Sequence, residues 1–259
     1  MPWAQAQPLP PPLIFVTHAK AGSTWVDGIL RQLYGAAVAP RVWPPPEHFD
    51  LKTYPIWSAM FMTREEYERH PELRAVDRFV VIRDLRDTLV SNYFSLRYSH
   101  TLDAGGIIAR RRDRLVALDF EDGLRFLMDE VVEGHASIQR SWLGSDVIRL
   151  RYEDLLREDV ALFQWLLIQT FGHKLTAAQV ASVVEDRRFE RVFQRKLGEV
   201  DPASHGRQGE PGDWRRQFTP AIKRSFAERF GALLVATGYE DDQAWVEAED
   251  PVDQRSSGS

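Results

Sequence analysis

No cysteine occurs among the 259 residues, which excludes a disulfide framework and suits a reducing compartment, so a cytoplasmic location is expected. No apolar run approaches the roughly 18 residues of a membrane-spanning helix. Residues 1–12 are rich in proline and lack a basic stretch ahead of an apolar one, so they do not have the form of a secretion signal. No tight group of His, Asp and Glu shows the usual spacing of metal ligands, and no metal is expected. No strong charge of one sign is present either. The formal net charge of −5 argues against a general nucleic-acid binder. The nucleoside-triphosphate loop G-x-x-x-x-G-K-[ST] is also missing, because Lys20 precedes Gly22 instead of following a glycine.

Two short segments nevertheless have the chemistry of phosphate cradles. In the first, Leu13 to Val16 reads as a buried strand and Trp25 to Tyr34 as a helix with apolar residues at Trp25, Val26, Ile29, Leu30 and Leu33. Between them lie His18, Lys20, Ala21, Gly22, Ser23 and Thr24, which offer an ammonium, two hydroxyls, a tight glycine turn and the N–H groups that open a helix. A plain strand-to-helix turn capped by Ser23 is the alternative reading. In the second, the strand Arg78 to Ile82 delivers Arg83, and a helix carries Ser91 eight residues later. A guanidinium fork at the carboxyl end of a strand, with a hydroxyl two turns on, suits a phosphate monoester. An Arg–Asp cluster bracing the corner would use the same residues.

Taken together, these segments resemble the cytosolic-type sulfotransferases, which transfer sulfonate from 3′-phosphoadenosine 5′-phosphosulfate (PAPS) and release PAP. The family loop of the form P-K-S-G-T-T-W stands here as His18 to Trp25, and the family's Arg and Ser on the 3′-phosphate match Arg83 and Ser91. A third family element, R-K-G-x-x-G-D-W, appears as Arg207, Gln208, Gly209, Glu210, Pro211, Gly212, Asp213 and Trp214. The resemblance implies an α/β fold, a mainly parallel central sheet flanked by helices and related to P-loop NTPases. It further implies cofactor contacts from Lys20, Ala21, Gly22, Ser23, Thr24, Trp25, Arg83, Ser91, Arg207, Gln208 and Gly209. Tyr152 would reach the adenine, with Trp25 and Phe189 on the faces of the purine.

The chemistry so implied is in-line displacement at sulfur by an acceptor hydroxyl or amine, without a metal. Lys20 would bond the leaving oxygen as its charge grows. A base must take the acceptor proton. The family's lysine-Thr-His run has its nearest match in Lys52, Thr53 and Tyr54, where tyrosine replaces histidine. His48 is the preferred base, since imidazole titrates near neutral pH, ahead of Glu47, Tyr54, His18 and His100. The acceptor could be a small molecule, a lipid-linked alcohol or a glycan. A P-loop phosphotransferase, or a non-catalytic module for PAP or an anionic glycan, are the rival classes.

The domain is expected over residues 13–239, with an acidic, flexible tail over 240–259. Phe218 to Thr237 reads as the last helix, capped by Thr219 with Pro220 in its first turn. His70 reads as part of a solvated helix face, and Arg110, Arg111, Arg112 and Arg114 as an exposed basic patch. The family's dimer motif is broken at Arg215, Pro220 and Arg224, so a monomer, or a dimer built another way, is expected.

Overall fold

The computed structural model describes residues 9–248 apart from 197, 202, 203, 205, 206 and 208. β1 (Leu13–Thr17) leads into α1 (Ser23–Tyr34), and β2 (Ile56–Met60), α2 (Arg64–Glu68) and β3 (Asp77–Ile82) follow. Next come α3 (Leu85–Phe94), α4 (Ile107–Ala117), α5 (Phe120–Leu127) and α6 (Glu133–Ser141). β4 (Ile148–Arg151) precedes α7 (Tyr152–Arg157), α8 (Asp159–Gln164), α9 (Ala177–Asp186) and α10 (Phe189–Phe193). The last α-helices are α11 (Trp214–Gln217) and α12 (Pro220–Ala236). None of the described helices is long and apolar enough to cross a membrane.

The described residues gather into two compact units, one from Met1–Arg83 with Ser137–Glu199 and one from Asp84–Ala136 with Val200–Ser259. The first unit holds the whole sheet. Its strands run parallel in the order β2-β1-β3-β4. β1 is buried along its full length, as a parallel strand covered on both faces must be, which is why Leu13 to Val16 is continuously apolar. Leu13, Phe15, Phe79 and Val81 point to one face and pack with Val26, Ile29 and Leu30 of α1, Phe163 of α8 and Val180 and Val184 of α9. Phe15 and Phe79 stack at 5.0 Å, and each such fully buried ring contributes roughly 1.5–3 kcal/mol. Because β1 and β3 are hydrogen-bonded neighbours in register, Thr17 opposite Val81, the loops that leave their carboxyl ends emerge side by side. Ligands gather at that edge of an open parallel sheet.

The second unit is helical. Ile222, Phe226, Phe230, Leu233 and Leu234 form the buried stripe of α12, and the Thr219 hydroxyl accepts from Ile222 N–H at its start, as the sequence predicts. Arg86 lies fully buried between the rings of Trp214 (3.8 Å) and Trp245 (4.6 Å), with Asp84 and Glu240 as ion-pair partners. That cluster corrects the expectation of a flexible tail from residue 240. Glu240 is drawn in by a buried guanidinium, Trp245 is itself buried and the Ala248 carbonyl accepts from Lys223 Nζ, so the segment through residue 248 is anchored at these points while residues 241–244 are exposed. Residues 249–259 lie outside the described part. His70 is also not on a solvated helix face: it follows α2, meets Phe49 edge-on at 4.9 Å and lies near Glu72. The basic patch stands on α4, where Arg112 donates to the carbonyls of Leu96 and His100, and Arg111 to that of Glu130.

Candidate active site

The loop between β1 and α1 owes its shape to two residues in the left-handed region, Lys20 at φ 69° and Gly22 at φ 81°. Glycine adopts this conformation freely, whereas at Lys20 it costs about 1–2 kcal/mol, a local strain of the kind that marks binding loops. Space also demands the glycine. A Cβ at position 22 would lie 2.8 Å from Cδ2 of Tyr152. Gly22 itself is the N-cap of α1, and no side chain caps that end, so Ser23 does not play the capping role that the plain-turn alternative gives it. The N–H groups of the first turn, with the positive end of the helix dipole, are therefore left for an external anion. Thr24 is exposed, and Ser23 and Ala21 flank the turn.

Arg83 follows β3 directly. Its Nη1 donates to the Lys20 carbonyl at 2.9 Å, and its guanidinium lies 4.7 Å above the ring centre of Tyr152. The structure thus brings Lys20, Gly22, Arg83 and Tyr152 into one assembly. Tyr152, at the first position of α7, forms the wall under the loop and the platform for Arg83, a placement that the expected adenine contact does not describe. Trp25 meets Tyr152 and Phe163 edge-on at 6.2 and 6.0 Å, while its buried Nε1 has no hydrogen-bond partner among the described residues.

A buried polar relay joins the two cradles, and sequence reasoning missed its centre. Gln139, on α6, donates from Nε2 to Nε2 of His18 at 2.8 Å and to the carbonyl of Arg83 at 2.7 Å. His18 Nδ1 faces the Ala19 carbonyl at 2.9 Å, which places the ring proton there and leaves Nε2 as an acceptor. Burial takes the His18 imidazole down to about 4, with the nearby Arg83 adding to the shift against the Ala19 carbonyl. His18 is therefore a neutral structural group and no base. As pH falls from 6.5 towards 4, the unfolded chain gains a proton here that the folded protein does not take. Stability should drop across that window by about 3 kcal/mol and level off below it. His173, taken down to about 4 by burial, adds a loss of the same sign. Urea midpoints between pH 7 and pH 4 check this, and a pH-independent midpoint would contradict it.

The other expected site residues make contacts of their own outside this hydrogen-bonded assembly. His48 is exposed, with Nδ1 3.0 Å from Glu72 Oε1. The Glu72 carboxyl would be raised by desolvation, but the Phe49 N–H and the two imidazoles of His48 and His70 hold it below its ordinary value. Glu47 is exposed, and Tyr54 belongs to a turn whose N–H donates to the Asp50 carbonyl. Phe189 packs on Phe193 at 4.9 Å. In the second unit, Ser91 sits two turns into α3, and His100 Nδ1 is 3.2 Å from the Ser95 hydroxyl. Arg207 pairs with Asp213 and lies 4.3 Å over the ring of Phe94, and Gly209 has φ 72°. Asp87 holds this segment, accepting from the N–H of Gly212 (2.6 Å) and of Trp214 (3.1 Å). Gln208 lies outside the described residues.

A left-handed loop leading to a helix end without a side-chain cap, with an arginine that follows the neighbouring strand, fits a phosphate-bearing ligand. A family model described as a sulfotransferase domain matches residues 78–238, well over half of the chain. The chain belongs to the sulfotransferase family. Sulfotransferase 6B1 of Danio rerio is 24% identical over 250 residues, covering 87% of this chain and 79% of the relative. In fold, this sulfotransferase is similar to mouse sulfotransferase SULT7A1 complexed with PAP, with a TM-score of 0.57 and 18% identity over 92% of this chain and 87% of that one. It is also similar to retinol dehydratase in a complex with retinol and PAP, with a TM-score of 0.52 and 17% identity over 88% and 82% of the two chains. The α/β fold with a parallel sheet is thus the one expected from the resemblance.

Proposed function

We propose that the chain binds PAPS on the loop from Lys20 to Trp25 and at Arg83, and transfers its sulfonate to the hydroxyl or amine of a small acceptor. The observation that carries this reading is the tie between the cradles: Arg83 grips the Lys20 carbonyl while Gln139 bonds both His18 and Arg83, so two anion-binding elements are held as one piece. Bound PAPS supplies the sulfonate and, as PAP, the leaving group. The acceptor oxygen forms its bond to sulfur as the bridging S–O bond breaks, and the acceptor proton is assigned to His48, which Glu72 orients. The N–H groups at the start of α1 hold the anionic end of the donor, and the Lys20 ammonium neutralises the bridging oxygen as its charge develops. Arg83 is assigned to the 3′-phosphate.

Release of PAP from PAPS in the presence of a panel of phenols, sugars and long-chain alcohols tests the reading. At least one acceptor should be sulfonated, and His48→Ala should lower kcat by about 10²-fold with little change in PAP affinity. An unchanged kcat would remove His48 from the mechanism. Binding of PAP with no acceptor sulfonated at all would favour the non-catalytic module.

A further inference from the structure

Beside the phosphate loop lies a cleft of about 210 Å3, lined by Ser23 together with Arg41, Trp43, Ser58, Ala59 and Phe61. Three of its features are costly to the isolated protein. Ser58 is 3% exposed, yet its hydroxyl has no hydrogen-bond partner among the described residues, a deficit of about 1–3 kcal/mol. Ala59 is held at φ 57°, in the left-handed region that alanine avoids. Trp43 presents its indole to solvent at 72% exposure, tilted against Phe61 at 5.7 Å.

The strain has a visible cause. Ile14 pairs with Trp57 but Val16 with Met60, so Ser58 and Ala59 together stand opposite Phe15. That extra residue is a bulge at the end of β2, the device by which sheets re-aim a side chain beside a site. Charge is distributed unevenly too. Asp27 Oδ2 takes Arg31 Nε at 2.9 Å and Arg41 Nη2 at 2.8 Å, which leaves the cluster one positive charge in excess. Arg41 spends Nε and Nη2 on Asp27, while its Nη1 makes no hydrogen bond among the described residues and the side chain is half exposed. Such a guanidinium edge suits a carboxylate or another oxyanion.

Resting on the sulfotransferase reading above, we propose that this cleft is the acceptor subsite and that it takes a planar, ring-bearing hydroxyl compound carrying a carboxylate or similar anionic group. The ring lies against Trp43 and Phe61, the Ser58 hydroxyl bonds the acceptor's polar end, and Arg41 selects the anion. Ser23 belongs to both the cleft and the phosphate loop, so the acceptor sits next to the sulfonate.

Three phenols with a common ring test this: 4-hydroxyphenylpropanoate, its methyl ester and tyramine, each assayed with PAPS while PAP binding is followed separately by thermal unfolding. The anion should exceed the ester in kcat/KM by about tenfold, and the amine by more. In Arg41→Gln that preference should fall to about one, in Arg41→Lys part of it should remain, and Trp43→Ala should lower kcat/KM for all three. If PAP stabilises the protein but none of the three is sulfonated, or anion and ester react equally, the cleft proposal is overturned and the cofactor reading stands. If PAP does not stabilise the protein, both fall.

Discussion

Lys20→Ala is expected to lower kcat for sulfonate transfer by about 10²–10³-fold while PAP affinity changes by less than about tenfold. The reasoning is geometric first. Lys20 sits at φ 69°, and alanine carries the same Cβ and the same left-handed cost, so the loop loses an ammonium without losing its shape. The carbonyl that Arg83 grips is also retained, because it belongs to the backbone. What disappears is a cation whose partner, the bridging oxygen, carries its full charge only in the transition state, and an interaction of that kind appears in kcat more than in binding. Lys20→Gly is the informative companion. It relieves the strain and should equal alanine in turnover while raising thermal stability. Equal losses of PAP affinity and of kcat in the alanine variant would instead make Lys20 a ground-state anchor.

Gly22→Ala is the substitution expected to do most damage to the loop itself. The new Cβ would meet Cδ2 and Cε2 of Tyr152 at 2.8 and 2.9 Å, at a φ of 81° that alanine avoids. The ring cannot absorb this alone, because Arg83 lies over its face and Trp25 against its edge. Displacing Tyr152 therefore disturbs the guanidinium that fastens Lys20, and the damage passes from a single methyl group to both cradles. A loss of about 2–4 kcal/mol in stability is expected, together with a fall in PAP affinity of at least tenfold. Urea unfolding and PAP titration measure the two. Gly22→Ala combined with Tyr152→Leu, which opens the space, should recover part of the affinity; no recovery would mean that backbone strain alone, and not the tyrosine wall, sets the loop.

How much of this was legible in the sequence follows from how local each feature is. The strand, the glycine turn and the helix start of the first cradle are adjacent in the chain, so a continuous apolar run, turn chemistry and helical spacing expose them. The Thr219 cap and Pro220 of α12 are legible for the same reason. The relay through Gln139 is not, since it joins residues 121 and 56 positions apart, and a glutamine within an amphipathic helix gives no sign of its partners. The tail misleads by composition: Glu240 and its acidic neighbours read as solvated, and only the buried Arg86, more than 150 positions earlier, reverses that. The family's base-bearing run has its nearest match at Lys52 to Tyr54 and His48 is the base the sequence favours, whereas the residues that line a cleft together with Ser23 of the phosphate loop include Ser58 and Ala59. A one-residue bulge put them there, and periodicity does not reveal a bulge.

The central claim is that the joined cradles are built for a nucleotide bearing separate 3′- and 5′-phosphates. Thermal unfolding of the full chain with PAP, ATP with Mg²⁺, and AMP tests it most directly, because a ligand at about 100 times its Kd stabilises by about 2.7 kcal/mol. Stabilisation by PAP well above that by AMP, lost in Arg83→Ala, is the predicted result. Stabilisation by ATP with Mg²⁺ but not by PAP would contradict the account and make the loop a nucleoside-triphosphate site.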